Sequence, residues 1–181
     1  VCHKIAREHG MIGSGLENLL QRAYSVAKRV RSETGVGEWS VSISAAAKDV
    51  AKGLYGDLED VSSVLIGGGP AGQDLARQFQ GEAIKHLSVY HPEALRAEAI
   101  ARELGCNLIE SKRVFAMLKE ADVIICAMGN YQYFLTEDMV RRYLAERRKK
   151  PQFIIDTSIP GDVEPSVERL DEAFVYTLGD L

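Results

Sequence analysis

Cysteine is scarce and irregular in this chain: Cys2, Cys106 and Cys126 are the only three. An odd number without regular spacing excludes a disulfide framework. With no C-x-x-C pair and no Cys/His cluster, a zinc site is not expected either. Cys126 stands in an apolar run and is expected to be a buried core thiol. No apolar stretch approaches the roughly 18 residues of a membrane span. The first residues, with Lys4 and Arg7, lack the apolar centre of a signal peptide, so the cytoplasm is the expected location and no membrane is expected as a partner. A dominant charge is missing too: 22 Lys and Arg against 26 Asp and Glu leave a net −4. Whole-molecule charge therefore gives no argument for nucleic acid or a membrane. The remaining composition, 46% hydrophobic and 27% charged over 181 residues, suffices for a sizeable core.

The chain begins inside a helical pattern and stops at Leu181 straight after a strand-like segment, so a longer protein is expected around it. Leu16, Leu19, Leu20, Ala23, Val26, Ala27 and Val30 recur at helical spacing. Ser14 and Glu17 read as a capping box at the start of that helix, and Gly35 as its stop. The opposite face carries Arg22, Lys28, Arg29 and Arg31, either a solvated face or a surface for a phosphate or RNA backbone. An alanine-rich helix is expected from about Ser42 to Leu54. From Ser62 the texture changes. Strands are expected at 64–66, 86–90, 107–109, 123–127, 153–155 and 174–176. Helices are expected between them at about 71–80, 92–104, 113–120 and 136–148, with Pro92 in a first turn and Thr136 as an N-cap. The apolar runs are continuous rather than alternating, as in strands buried on both faces of a parallel sheet. The fold class is therefore α/β: a doubly wound parallel sheet of Rossmann type, about six strands in the order 3-2-1-4-5-6, preceded by an N-terminal helical segment. The expected division is a helical part over 1–55 and a nucleotide-binding domain over 56–181.

The first strand runs into Gly67-Gly68-Gly69-Pro70-Ala71-Gly72. Gly67-x-Gly69-x-x-Gly72 fits G-x-G-x-x-G, and its place between a strand and a helix is what makes the match specific. One glycine permits the tight turn, one the approach of a diphosphate, one the close packing of helix on strand. The helix start offers free N–H groups to phosphate oxygens, although Pro70 has none to give. The second strand ends Val89-Tyr90-His91-Pro92, with no carboxylate at its tip to hold the ribose hydroxyls of NAD. This tilts the expectation to NADPH, with His91 and Arg96 as candidate partners of a 2′-phosphate. His91 equally suits a solvated turn. Met128 and Gly129 after the fourth strand, and Ser158 and Pro160 after the fifth, complete the candidate cofactor contacts. Asp156, Ser158 and Asp162 are the polar groups of that last loop, for ligand or for turn formation. His3, His9, His86 and His91 are scattered, and no catalytic residue is assigned.

Together these segments resemble the glutamyl-tRNA reductase family. The resemblance lies in Leu19 to Gly35, Val41 to Ala47, the glycine loop, Ala121 to Ile125, Ile155 to Pro165 and Gly179-Asp180-Leu181, in that order over nearly the whole chain. It implies the tail of a catalytic domain, a linker helix and the NADPH domain of an enzyme that reduces glutamyl-tRNA to glutamate-1-semialdehyde for tetrapyrrole synthesis. It further implies a cysteine nucleophile and tRNA contact in a domain upstream of Val1, and a homodimer built by helices beyond Leu181. The chain departs from the family where His91-Pro92-Glu93 replaces Asn-Arg-Thr and Gly161 replaces an arginine, which predicts a weak preference for NADPH over NADH. Met128-Gly129 and Pro70-Ala71 are further departures. Two alternatives stay open: a non-catalytic relative with a regulatory or partner-binding role, and another NADP-dependent dehydrogenase such as a shikimate dehydrogenase relative.

Overall fold

The computed structural model describes residues 3, 6–7, 9–34, 39–82, 84, 86–147 and 150–180. The chain divides into two compact units, Val1–Trp39 and Ser40–Leu181.

The first unit is built on helix α1, Ser14–Glu33. The expected capping box does not form. Gly13 takes the cap position, and Ser14 already lies in the first turn. The Glu17 carboxylate turns instead to His3 Nε2 at 2.8 Å and to Gln21 Nε2 at 2.9 Å. A carboxylate held by His3 ahead of the helix and by Gln21 one turn on cannot also reach back to the cap. The helix ends at Thr34, and the expected stop Gly35 lies outside the described residues. Leu16, Leu19, Val26 and Val30 are exposed, so the apolar stripe has the predicted spacing without a cover among the described residues. On the basic face Arg29 pairs with Glu33 at 3.2 Å.

In the second unit helix α2, Trp39–Tyr55, turns Ala47 and Ala51 fully into the core, where small side chains permit close approach. The order that follows is β1 (Ser62–Gly67), α3 (Pro70–Glu82), β2 (His86–Tyr90), α4 (Ala94–Leu104), β3 (Asn107–Leu108), α5 (Val114–Glu120), β4 (Val123–Ala127), α6 (Glu137–Glu146), β5 (Gln152–Asp156) and β6 (Ala173–Thr177). All pairings are parallel and the strand order is β3-β2-β1-β4-β5-β6, the doubly wound Rossmann-type arrangement. β4 and β5 are buried along their whole length. One face is covered by Leu75, Phe79, Ile100 and Leu104 of α3 and α4, the other by Leu118, Val140, Tyr143 and Leu144 of α5 and α6.

Thr136 caps α6 as expected, accepting from the Met139 N–H at 3.4 Å. Pro92 does not enter a first turn: α4 begins at Ala94 on Glu93, because the His91 ring takes the Glu93 N–H and holds the segment in a turn. Single-turn 3₁₀ segments at Ser111–Arg113 and Pro165–Arg169 were not anticipated; runs so short carry no hydrophobic period.

At the N-terminal end of the strands Arg147 lies buried in a ring of acceptors. Its guanidinium donates to the carbonyls of Lys119, Ala121, Lys150 and Pro151 and meets Asp122 at 3.3 Å. Lys150 adds a second cation to Asp122 at 2.6 Å. Tyr55 donates to the Asp122 carbonyl at 2.7 Å and accepts the Phe153 N–H at 3.1 Å, tying α2 to β5. Beyond β6, the Asp180 carboxylate accepts both the N–H and the hydroxyl of Thr177.

Candidate nucleotide site

The turn from β1 into α3 lies against the end of β4 with no room for side chains. At Gly67, with φ of +93°, a Cβ would stand 2.4 Å from the Ala127 carbonyl oxygen; at Gly72 it would stand 2.3 Å from the Ala127 Cβ. Both contacts are far inside van der Waals distance, so the crossing exists only with glycine there. The Ala127 carbonyl accepts the N–H groups of Gly68 at 3.1 Å and Gly69 at 2.8 Å. Two amides of the loop are thus internal braces. The Gln73 side chain adds a third brace, donating to the Gly68 carbonyl at 2.8 Å. Pro70 has no N–H, and Gln73 N–H closes the first helical bond on Gly69. The amides of Ala71 and Gly72 take no acceptor among the described residues. These two, at the positive end of a 13-residue helix, are what the loop presents to an anion.

β4 is gripped from the other side as well. Asp162 is fully buried, and its carboxylate accepts the N–H of Met128 at 2.6 Å, the N–H of Gly129 at 2.9 Å and the Ser158 hydroxyl at 2.5 Å. Asp156, at the tip of β5, accepts the N–H groups of Ser158, Asp162 and Val163. Burial pushes the Asp156 carboxyl above its ordinary value, the three amides oppose this, and the neighbouring Asp162 charge adds to it. Thr157 donates to the Cys126 carbonyl at 2.8 Å. Asp156, Ser158 and Asp162 therefore shape the loops that flank the crevice. The Ile159–Pro160 bond is cis. Cys126 is wholly buried, and its thiol is pushed well above the ordinary value by burial and by the Asp156 and Asp162 charges, the state of an inert core thiol.

At the β2 tip the two expected phosphate partners have partners of their own. His91 Nδ1 accepts the Glu93 N–H at 3.0 Å, and Arg96 pairs with Glu93 at 3.1 Å on an exposed helix face. Met128 and Gly129 are brought beside the glycine turn through Ala127, whereas Arg96 stands in the first turn of α4. The bracing roles of Gln73 and Asp162 were not foreseen. Only the position of Gln73, one residue past the last glycine, hinted at its role.

Residues 49–181 match the family model described as Shikimate / quinate 5-dehydrogenase. Over the whole chain the similarity is to glutamyl-tRNA reductases. The one from Rhodospirillum rubrum is 42% identical over 179 residues, 99% of this chain and 42% of that protein. The one from Pseudoalteromonas atlantica is 39% identical over 97% of this chain and 42% of its own length. The solved glutamyl-tRNA reductase of Methanopyrus kandleri superposes with a TM-score of 0.73 at 30% identity, covering 98% of this chain and 45% of that one. The chain belongs to the shikimate / quinate 5-dehydrogenase family, and over nearly its whole length it is similar to glutamyl-tRNA reductases. It spans about two fifths of the length of the curated reductases it matches. For a glutamyl-tRNA reductase-type chain the sheet unit, with its Rossmann-like fold, is an NAD(P)-binding domain. No helix among the described residues is long and apolar enough to cross a membrane.

Proposed function

We propose that this chain is the NADPH-binding domain of a glutamyl-tRNA reductase, acting in the cytoplasm to reduce glutamyl-tRNA to glutamate-1-semialdehyde. Residues 56–181 hold the cofactor and residues 1–55 form the linker and the tail of a catalytic domain. The tRNA and the cysteine nucleophile engage through a domain outside this chain, and the full-length protein is a homodimer. The supporting observation is the glycine turn: it packs on Ala127 without side chains and leaves the Ala71 and Gly72 amides without an acceptor among the described residues at a helix start. The candidate contacts are Gly67 to Gly72 for the diphosphate, His91 and Arg96 for the ribose, and Met128, Gly129, Ser158 and Pro160 along the nicotinamide side. Bound NADPH supplies the hydride. The chain's own residues bind the dinucleotide, fix its direction across the strand ends and keep the β4 and β5 loops in register beside it.

Ala71→Asp tests this reading directly. Ala71 is exposed, and a carboxylate there suits a helix first turn while repelling a diphosphate. Calorimetric titration should show NADPH binding abolished with thermal stability unchanged or raised. Undiminished binding would remove the loop assignment. The chain alone should not turn over charged tRNA, and robust turnover by it would show the nucleophile to be misplaced.

A further inference from the structure

The β2 tip poses a question of charge. A 2′-phosphate needs a cation, yet His91 holds a turn and Arg96 is neutralised by Glu93. The neighbouring strand offers another. β3 pairs with β2 through Ser88 and Val89, and the Ile109 N–H donates to the Val89 carbonyl at 2.8 Å, which brings the end of β3 beside the β2 tip. There the chain makes a single 3₁₀ turn: the Arg113 N–H donates to the Glu110 carbonyl at 2.8 Å. The Arg113 side chain lines a groove of about 280 Å³ whose other walls include Ser88, Asn107, Glu110 and Met117. Glu110 is already paired with Lys112 at 2.8 Å, and that pairing, with a smaller contribution from the Arg113 charge, holds its carboxyl below the ordinary range. One acid against two bases leaves one positive charge at this corner. Arg113 forms no salt bridge among the described residues. Its side chain is exposed, so it is available without unfolding anything.

We propose that Arg113 is the specificity-determining cation for the adenosine 2′-phosphate, reaching it from the turn after β3 rather than from the tip of β2. The inference rests on the nucleotide reading above. A guanidinium offers a planar pair of donors to a phosphomonoester, and its contact vanishes when that group is absent. Ser88 and Asn107 add neutral polar groups on the same groove, and the apolar side of Met117 suits the edge of a base.

The test is calorimetric titration of the full chain with 2′-phospho-ADP-ribose and with ADP-ribose, in wild type, Arg113→Ala, Arg113→Lys and Lys112→Ala. The expected result for Arg113→Ala is about tenfold weaker binding of the phosphorylated ligand with the plain ligand unaffected. Arg113→Lys should recover part of the loss, and Lys112→Ala, which frees Glu110 to turn to Arg113, should weaken the phosphorylated ligand alone. Equal loss for both ligands, or no loss for either, would overturn the assignment of Arg113 while leaving the site intact. If wild type bound neither ligand, the nucleotide reading itself would fall and this inference with it.

Discussion

The two ends of the central sheet solve opposite problems. At the N-terminal end of the strands the buried charges are closed upon partners: Arg147 fills its donors with carbonyls and Asp122, and Tyr55 bridges α2 to β5. At the C-terminal ends of β4 and β5 the buried charged groups are acids, Asp156 and Asp162, and they draw loops together by accepting main-chain amides. Yet beside them the Ala71 and Gly72 amides stay open. One end is sealed for stability. The other is braced up to the edge of an opening and no further. A parallel sheet makes this division natural, since helix starts and their unfilled N–H groups gather at the strands' C-terminal side.

The sharpest way to break the contrast is at the sealed end. Arg147→Ala strips donors from several buried carbonyls and takes the buried cation from Asp122, leaving it Lys150 and the Ser62 donors. Chemical denaturation should register a loss of about 3–5 kcal/mol, while NADPH affinity of the remaining folded protein stays level. Asp162→Asn comes next. The amide cannot accept from two N–H groups and a hydroxyl without turning its own donors on them, so about 2–3 kcal/mol should go. Here, unlike at Arg147, nucleotide affinity should fall as well, because the Met128–Gly129 loop is released. A variant that lost stability alone would dissolve the distinction between the two ends. The cofactor preference is smaller still: NADPH over NADH should stay below ~100-fold, or roughly 2.7 kcal/mol, because no arginine stands at 91–93. A larger ratio measured by titration would refute this.

The smallest effect is on pH. The Asp156 carboxyl is raised above 3.8, chiefly by burial. It therefore binds its proton more tightly in the folded than in the unfolded chain, so its contribution is greatest at low pH and is lost as pH rises through the raised value. Asp156→Asn should flatten the acid side of the stability profile, read by urea melts across that window. A variant profile with the slope intact would assign it to other groups.

Much of this architecture was legible in the residues. β4 was expected at 123–127 and lies there, because five consecutive buried residues between helical patterns fit few other structures. The glycine turn was legible because its spacing is set by local geometry. The Thr136 cap was legible for the same reason. What could not be read is what crosses the sheet. The Gly68 and Gly69 amides meet Ala127 some sixty residues away, and nothing in either stretch announces it. Asp162 was recognised as a polar loop residue, but its burial under the Met128–Gly129 segment depends on how β4 and β5 are paired. Glu17 was assigned to a cap by a pattern that ignores competing side chains, and His3 and Gln21 outcompeted the amide.

The Asp180 hook on Thr177 carries a consequence for life in a crowded solution. The outermost strand of an open sheet is a template on which a stray chain can crystallise its own backbone. By folding back to occupy the last peptide group of β6, Asp180 places a negative charge where such a visitor would have to start. The margin of the sheet is thereby made inhospitable to growth by a single local loop.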